Sequence, residues 1–260
     1  MQVISFGNQK GGCGKSASAQ ALAAVLAERG RRVLMVDVDP QATLTQAAGI
    51  TDAGEAGNLA DVVGGSAPGR RDLASIARHV ADNLDLAPSD IALAGAELGL
   101  VSRLGREAVL RKALAGVAGR YDVAIVDCPP SLGLLTIAAL AASDAVIVPT
   151  QPQAADLRGL RLFLATLDMI RAELNPALET LGVLITFYDG RLTHHRQAIE
   201  ALTEGALPLL PVRIGRAVRI SEAAGRGQAI TQLDPNHKQS AAYRQLGEYV
   251  DTWLSGKITR

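Results

Sequence analysis

Residues 3–16 read VISFGNQKGGCGKS, a short apolar run followed by a glycine-rich turn that carries two lysines. An alanine-rich pattern with helical spacing begins at Lys15. A strand, a glycine turn and a helix N-terminus in this order hold nucleotide phosphates, because backbone N–H groups and the positive end of the helix dipole face the anion. In such a loop Lys15 reaches the β- and γ-phosphates, and the Ser16 hydroxyl ligates Mg²⁺. The stretch therefore predicts a nucleotide site.

Two later apolar runs, residues 33–37 and 122–127, end in the aspartates Asp37 and Asp127. Both runs are typical of buried parallel strands, and ligands bind at the carboxyl ends of such strands in an open α/β sheet. We therefore expect Asp37, Asp39 and Asp127 at the edge that carries the glycine turn. Taken alone, Asp127 also fits an ordinary strand end, since an aspartate ahead of prolines often starts a turn. Beside the glycine turn we interpret it as a carboxylate that holds Mg²⁺.

Composition narrows the class of protein. The 260 residues suffice for one well-packed α/β domain, and the 48% apolar but only 3% aromatic content indicates helices packed on a parallel sheet. The formal net charge is zero, so any DNA contact must come from a local patch. Cys13 and Cys128 lack metal-ligand spacing and are interpreted as reduced cytosolic thiols. Neither a signal peptide nor an apolar run of about 18 residues is recognised, so no membrane association is expected.

The remaining pattern alternates strands with helices, apart from residues 49–83, where loops and short helices are expected. Helices are predicted over 15–29, 106–119, 133–142, 154–173 and 239–254, and strands over 33–37, 84–87, 122–127, 145–149 and 181–187. The alternation predicts an α/β fold with a doubly wound, mostly parallel sheet and helices on both faces, in one domain over residues 1–260. A stripe on the last helix is expected to dock on the core, namely Tyr243, Leu246, Val250 and Trp253.

The glycine turn departs from the strict P-loop pattern, since Gln9 stands where glycine is usual and Lys10 adds a second lysine. It resembles the deviant Walker A motif of the ParA/MinD family of P-loop ATPases. Over nearly the whole chain the sequence is similar to a ParA/Soj-type partition ATPase without the N-terminal helix-turn-helix extension that some plasmid members carry. The segments that carry the resemblance are Lys10–Ser16, Val36–Gln41, Ala94–Leu98, Tyr121–Leu135 and Val218–Ala223.

The resemblance implies an ATPase with a slow basal rate, in which a homodimer sandwiches two ATP molecules face to face. Lys10 would cross the interface to phosphates bound by the other subunit, and Asp39 would orient the attacking water. Ser16 would ligate Mg²⁺ directly, and Asp37 and Asp127 would hold it through water. The implied catalytic residues are Lys10, Lys15, Asp39 and Asp127. The implied nucleotide-binding residues are Lys10, Gly11, Gly12, Cys13, Gly14, Lys15, Ser16 and Ala17, with Phe187 and Gly215 beside the adenine.

DNA binding is the second implied activity. ATP-bound dimers of the family bind double-stranded DNA without sequence preference, and the matching positions are Arg191, Arg216 and Arg219. Between residues 191 and 226 six arginines stand against three glutamates, a modest excess that a solvated surface would also explain. His194 and His195 are interpreted as surface residues beside this patch. A ParB-like partner would stimulate hydrolysis, so a cytoplasmic, nucleoid-associated protein that segregates chromosome or plasmid DNA is expected.

Alternatives to DNA segregation stay open. Relatives use the same cycle to position other cargo, such as carboxysomes, chemoreceptor clusters or the division machinery, and the sequence does not separate these. A MinD-like membrane switch needs a C-terminal amphipathic helix with a basic polar face, whereas Glu248 and Asp251 lie on this one. A ligase or kinase would need a second-substrate site, and an iron–sulfur relative would need free cysteines. The chain also departs from the family at Ala17, where threonine is usual, and at Gly215, where proline is usual.

Overall fold

The computed structural model describes residues 1–64, 71–205 and 207–258 of the chain. A single sheet is built from the strands β1 (Gln2–Phe6), β2 (Val33–Asp37), β3 (Arg78–Ala81), β4 (Leu84–Ala87), β5 (Val123–Asp127), β6 (Ala145–Thr150), β7 (Glu179–Tyr188) and β8 (Leu209–Gly215). Their spatial order is β3-β4-β2-β5-β1-β6-β7-β8, and neighbouring strands are parallel except β3 with β4. This mostly parallel sheet confirms the predicted fold class.

Helices connect the strands and cover both faces of the sheet. They are α1 (Lys15–Glu28), α2 (Thr43–Ala47), α3 (Ala53–Ala56), α4 (Leu59–Val63), α5 (Leu73–Ile76), α6 (Ala92–Leu100), α7 (Val109–Ala115), α8 (Leu134–Ala142), α9 (Ala154–Glu173), α10 (Thr193–Glu204), α11 (Val218–Ala224), α12 (Ile230–Leu233) and α13 (Lys238–Ile258), with a 3₁₀ turn at Arg106–Ala108. One core lies between the sheet and α1 with α13. A second lies under α4, α7 and α8, and a third joins α9 and α10 to β6 and β7.

Strand β2 shows how an unbroken apolar run brings carboxylates to the site. Val33 and Met35 face the core under α1, whereas Leu34 and Val36 face the opposite core, so all four are buried. The first polar residue comes only where the strand ends, at Asp37. Asp37 on β2 is paired in register with Asp127 on β5, and Asp127 is paired in turn with Phe6 on β1. The aspartates therefore lie at the edge where β1 enters the glycine turn.

The structure differs from the sequence prediction in several segments. Residues 49–83 also contain the short strand β3, which pairs with β4 in an antiparallel ladder. The helix expected over 106–119 is a 3₁₀ turn followed by α7, which ends at Ala115 ahead of Gly116 and Gly119. Strand β8 was not predicted. Its buried residues alternate with the exposed Pro211 and Arg213, as is typical of an edge strand.

The last helix, α13, docks on the core as predicted, and it packs there against α1. Tyr243, Leu246 and Val250 are buried in the core under α1, and the Tyr243 hydroxyl lies 3.2 Å from the Ser18 hydroxyl. Trp253 is partly buried, and its Nε1 donates to Glu179 at 3.1 Å. Among the described residues, no helix combines the length and the apolar character that crossing a bilayer requires.

Gly247→Ala should destabilise the protein, because α13 packs closely against α1 at this glycine. A Cβ at position 247 would lie 2.3 Å from Val25 Cγ1. Relieving such a clash costs about 1–3 kcal/mol of unfolding free energy. Gly256→Ala on the same helix is the matched control, since its Cβ would meet nothing within 4 Å. Urea denaturation should show a lower free energy of unfolding for Gly247→Ala only. Equal stability of the two variants would contradict the close approach of the helices.

Candidate nucleotide-binding site

The glycine turn leads into the N-terminus of α1 at the carboxyl edge of the sheet. Gly12 and Gly14 have φ angles of 70° and 85°, a left-handed conformation that residues with side chains rarely adopt. Gly14 directly precedes α1, whose first turn carries no acidic side chain. The N–H groups of the turn and the positive end of the helix dipole therefore form an anion site.

Side chains from two other strands anchor this turn. Asn8 Nδ2 donates to the Pro149 carbonyl on β6 at 2.6 Å. Thr186 Oγ1 on β7 donates to the Cys13 carbonyl at 2.8 Å. Both bonds join segments about 140 residues or more apart in sequence, so motif spacing alone does not reveal them. They fix the shape of the loop before any phosphate arrives, which limits the reorganisation that binding requires.

The two lysines of the turn have different surroundings. Lys15 is buried, and its Nζ donates to the Lys10 carbonyl at 3.0 Å, within its own loop. Lys10 turns away from that loop and forms an ion pair with Asp156 on α9. The Lys10 side chain remains 39% exposed. Lys15 therefore points into the glycine turn, whereas Lys10 lies at the surface.

Asp37 and Asp39 lie at the end of β2, and both are buried. The N–H and hydroxyl of Thr45 donate to Asp37 Oδ2 at 2.8 and 2.7 Å. The Asp39 N–H donates to Asp37 Oδ1 at 3.1 Å. Burial raises the pKa of Asp37 to about 6 despite these bonds. Asp37 is thus fixed by hydrogen bonds, and it positions the backbone of Asp39 in turn.

Asp127 ends β5 and is fully buried beside Asp37. Neither of its carboxylate oxygens accepts a hydrogen bond of ordinary geometry from the residues that the structure describes. Burial and then the charge of Asp37 raise the pKa of Asp127 well above its usual value, while Ser16 and Lys15 oppose the shift. A buried carboxylate without a partner is unfavourable unless a cation binds it. Ser16, Asp37 and Asp127 therefore fit a Mg²⁺ site of the kind that retains several water ligands.

Asp127→Asn should stabilise the protein free of nucleotide and metal, by about 1–3 kcal/mol near neutral pH, because it removes this buried charge. The folded state binds the Asp127 proton more tightly than the unfolded state, so the wild-type penalty grows as the pH rises above about 4. The gain should therefore shrink in acid. Asp122→Asn is the control. It breaks an exposed ion pair of 2.7 Å with Arg32, so the stability of the protein should not increase. A lower melting temperature for Asp127→Asn in metal-free buffer would contradict this account.

A cavity of about 1090 Å³ opens at the carboxyl ends of β7 and β8, and Phe187 and Gly215 both line it. Phe187 has a φ of 52°, and its ring would lie 3.5 Å from a Cβ added at Gly14. The Gly215 N–H donates to Gln239 Oε1 at 2.8 Å, and a Cβ at position 215 would lie 2.6 Å from Gln239 Nε2. A proline would lose this bond and clash with Gln239. Glycine at position 215 therefore leaves room for Gln239 and retains this hydrogen bond.

Two of the three arginines predicted to bind DNA, Arg191 and Arg216, line this cavity, whereas Arg219 does not. The basic side chains that line it are Arg191, Arg213, Arg216 and Lys238. Arg191 pairs with Asp189 at 2.7 Å, and Arg219 pairs with Glu222 at 2.7 Å. Arg216 forms no ion pair with a residue in the described part of the chain. Among the three predicted arginines, Arg216 therefore carries the charge that is not offset nearby.

The prediction that His195 is a surface residue is wrong. His195 is buried on α10, and its Nδ1 accepts the Asp189 N–H at 3.1 Å. Its ring lies 6.2 Å from the Tyr188 ring and 4.5 Å from the His194 ring, centroid to centroid. His194 is exposed, as predicted. Because α10 begins at Thr193, the helix turns residue 195 inward, where it supports the loop that carries Asp189.

The chain is similar to a known domain family, to curated proteins and to solved structures. Residues 1–180 match the AAA domain family. The sporulation initiation inhibitor protein Soj of Bacillus subtilis is 40% identical, over 96% of this chain and 98% of Soj. The chromosome-partitioning ATPase Soj of Thermus thermophilus is 40% identical, over 95% and 94%. A solved cobyrinic acid a,c-diamide synthase from Mycobacterium smegmatis, with bound ADP and magnesium, matches with a TM-score of 0.86 and 36% identity, over 98% of this chain and 96% of that one.

Proposed function

Because the chain belongs to the AAA domain family of Soj and ParA chromosome-partitioning ATPases, we propose that it is a DNA-segregation ATPase whose ATP-bound homodimer binds DNA. A ParB-like partner stimulates its slow hydrolysis and so ends the DNA-bound state at the nucleoid. The observation that supports this most is the different placement of two lysines in one loop. Lys15 faces its own loop, whereas the Lys10 side chain points out of the loop to Asp156 on α9 and is partly exposed at the surface.

The residues of one subunit bind ATP and prepare its hydrolysis. The backbone of the glycine turn and Lys15 bind the phosphates, so Lys15 exchanges the Lys10 carbonyl for a phosphate oxygen. Mg²⁺, when held by Ser16 with Asp37 and Asp127, neutralises negative charge on the phosphates. Phosphoryl transfer requires positioning more than covalent help, and Asp39 orients the attacking water. The Asp39 N–H donates to Asp37, and this hydrogen bond keeps the Asp39 carboxylate near the glycine turn.

The second subunit completes this site. A cation placed where charge develops in the transition state accelerates phosphoryl transfer, as an arginine finger does. Lys10 is the loop residue available for that role, since Lys15 is buried against its own subunit. ATP is then bound between two subunits, and its hydrolysis separates them. Nucleotide state thereby controls whether the chain acts as a monomer or as a dimer.

Dimerisation brings together two copies of the basic cluster at the cavity, in which Arg191 is paired with Asp189, whereas Arg213, Arg216 and Lys238 form no ion pair with the described residues. Phosphate contacts of this kind are independent of DNA sequence and weaken steeply as salt rises. One cluster with partly neutralised arginines binds DNA weakly, whereas the two clusters of one dimer bind it with avidity. DNA binding is therefore expected only in the ATP-bound state.

Duplex binding measured with ATP, with ADP and without nucleotide tests the proposed function. We expect retention of DNA with ATP alone, and a strong decrease as salt rises. Arg216→Glu should weaken this binding at least about tenfold, since each dimer loses two phosphate contacts. Arg120→Glu, an exposed arginine ahead of β5 at the opposite edge of the sheet, is the charge-matched control. Binding in no state, or equally in all three, would contradict the proposal.

Amide synthesis is the second candidate, because the Mycobacterium smegmatis structure carries the name of a diamide synthase. A glutamine-dependent synthase needs a reactive thiolate that releases ammonia from glutamine. Cys128 is buried, and burial raises its pKa to about 12. Cys13 is buried in the glycine turn, and burial raises its pKa as well. We therefore favour the ATPase switch, and expect no glutamate release from glutamine in the presence of ATP.

A further inference from the structure

His195 joins the start of α10 to the end of β7 and the loop that follows it, residues 187–191. The His195 side chain is buried, and its Nδ1 accepts the Asp189 N–H at 3.1 Å. An imidazole that accepts a hydrogen bond through Nδ1 is neutral and carries its hydrogen on Nε2. The ring therefore holds the 187–191 segment only while it is unprotonated.

The 187–191 segment forms a wall of two cavities beside the glycine turn. Phe187 and Asp189 line the cavity of about 1090 Å³ and also a second cavity of about 560 Å³. Gly12 of the turn and the His195 ring line that second cavity as well. Phe187 has a left-handed φ of 52°, which a residue with a side chain keeps only when its surroundings hold it. A shift of this segment would therefore change the cavity wall next to the phosphate loop.

We propose that His195 is a positioning residue for the nucleotide, and that the affinity for nucleotide falls when its ring takes up a proton. The inference rests on the proposed function, in which the glycine turn binds the phosphates and leaves the base to the adjoining cavities. A protonated ring carries N–H groups on both nitrogens, so it cannot accept the Asp189 N–H. That N–H then loses its partner in a half-buried place, which is unfavourable. The segment moves to regain a hydrogen bond, and the cavity wall loses the shape that fits the nucleotide.

The charged groups around His195 do not replace this hydrogen bond. The Asp189 carboxylate is paired with Arg191 at 2.7 Å, so it is already bound. Most of the other titratable or charged groups near the ring are cationic, which disfavours a further positive charge there. They are His194 and Arg196 on α10, Tyr188 on β7, Arg213 on β8 and Arg216 at the second cavity.

These surroundings place the change on the acid side of neutrality. Burial, and then the charge of His194, lowers the pKa of His195, while Asp189 opposes this shift. The ring is therefore neutral at neutral pH and takes up a proton in mildly acidic solution. Nucleotide binding requires the neutral ring, so the affinity should fall as the pH falls.

His195→Asn separates this ring from the other groups that titrate. The substitution places an amide oxygen near the position of Nδ1, which accepts the Asp189 N–H at any pH. Isothermal titration calorimetry with ADP at about pH 7.5 and about pH 5.5 should show at least about threefold more loss of affinity in the wild type than in His195→Asn. Asp37, whose pKa burial raises to about 6, titrates in both proteins and so cancels in the comparison. His79→Asn on β3 is the control that should follow the wild type, since the His79 side chain is 70% exposed.

Titration of the His195 ring by NMR in the wild type gives a readout that needs no variant. Linkage requires that saturating ADP lower the pH midpoint of this ring by the same factor, about half a pH unit for a threefold effect. A midpoint that ADP leaves unchanged or raises would overturn the inference. Equal loss of affinity in the wild type and His195→Asn would overturn it as well. A wild-type chain that binds no ADP at either pH would contradict the proposed function instead.

Discussion

Lys10→Gln should leave ATP binding close to the wild-type level and lower ATP turnover about 10³-fold, the lower end of what a trans-acting cation contributes. Binding survives because the backbone of the glycine turn and Lys15, which lies within its own loop, hold the phosphates. Turnover falls because no ammonium from the other subunit stabilises the charge that develops in the transition state. Equilibrium binding of a fluorescent ATP analogue and phosphate release under saturating ATP measure the two effects separately.

Two controls make the Lys10→Gln result specific. Lys15→Gln should lose ATP binding itself, since it removes the cation of the phosphate loop. In Lys10→Gln the buried Asp156 loses its ion-pair partner, so adding Asp156→Asn should make the double variant more stable than the single variant. The double variant should nevertheless be equally inactive, which separates catalysis from folding. Near wild-type turnover in Lys10→Gln would exclude this residue from the reaction. Loss of binding in that variant would place Lys10 on the phosphates of its own subunit.

Asp39→Ala should retain ATP binding and dimerisation but lower turnover by about 10²- to 10⁴-fold, the range for loss of a group that positions or deprotonates the nucleophile. Asp39 lies two residues after the end of β2 and is buried, and its Oδ1 accepts the Gln41 N–H at 2.9 Å. It is thus held at the sheet edge that carries the glycine turn. Because it makes no phosphate-binding contact in the proposed site, its removal leaves association with ATP intact.

Sedimentation with ATP and single-turnover hydrolysis test Asp39→Ala. The variant should accumulate as a stable ATP-bound dimer that retains DNA longer than the wild type. Asp82→Ala, an exposed aspartate in the turn between β3 and β4, serves as the control and should behave as the wild type. Unchanged turnover in Asp39→Ala would remove Asp39 from the mechanism. Loss of dimerisation would instead assign it to the interface.

The sheet and the phosphate loop were predictable because both depend on short-range patterns. The run Val33–Asp37 is apolar at every position before its aspartate, and the structure buries both faces of this strand. Since parallel strands end at one edge, two such runs brought Asp37 and Asp127 together in register. The glycine turn likewise lies between β1 and α1 as predicted, and Gly12 and Gly14 have positive φ angles there.

Contacts between distant segments were not predictable from such patterns. Asp156 lies 146 residues after Lys10, on a helix whose sequence gives no sign of a buried carboxylate. The anchoring bond from Asn8 to Pro149 spans 141 residues. His195 was misplaced because two adjacent histidines look solvent-exposed until the start of α10 fixes which of them turns inward. Strand β8 was missed because its Pro211 and Arg213 interrupt the apolar run.

The most direct test of a site shared between two subunits is to mix Lys10→Gln with Asp39→Ala, two variants that are each expected to be inactive. In a mixed dimer, the nucleotide on the Lys10→Gln subunit meets its own Asp39 and the intact Lys10 of the other subunit. Turnover should therefore recover to about one quarter of the wild-type rate, since half of randomly assorted dimers are mixed and each has one complete site. A mixture that remains as inactive as its components would contradict the shared site and place Lys10 in action on its own subunit.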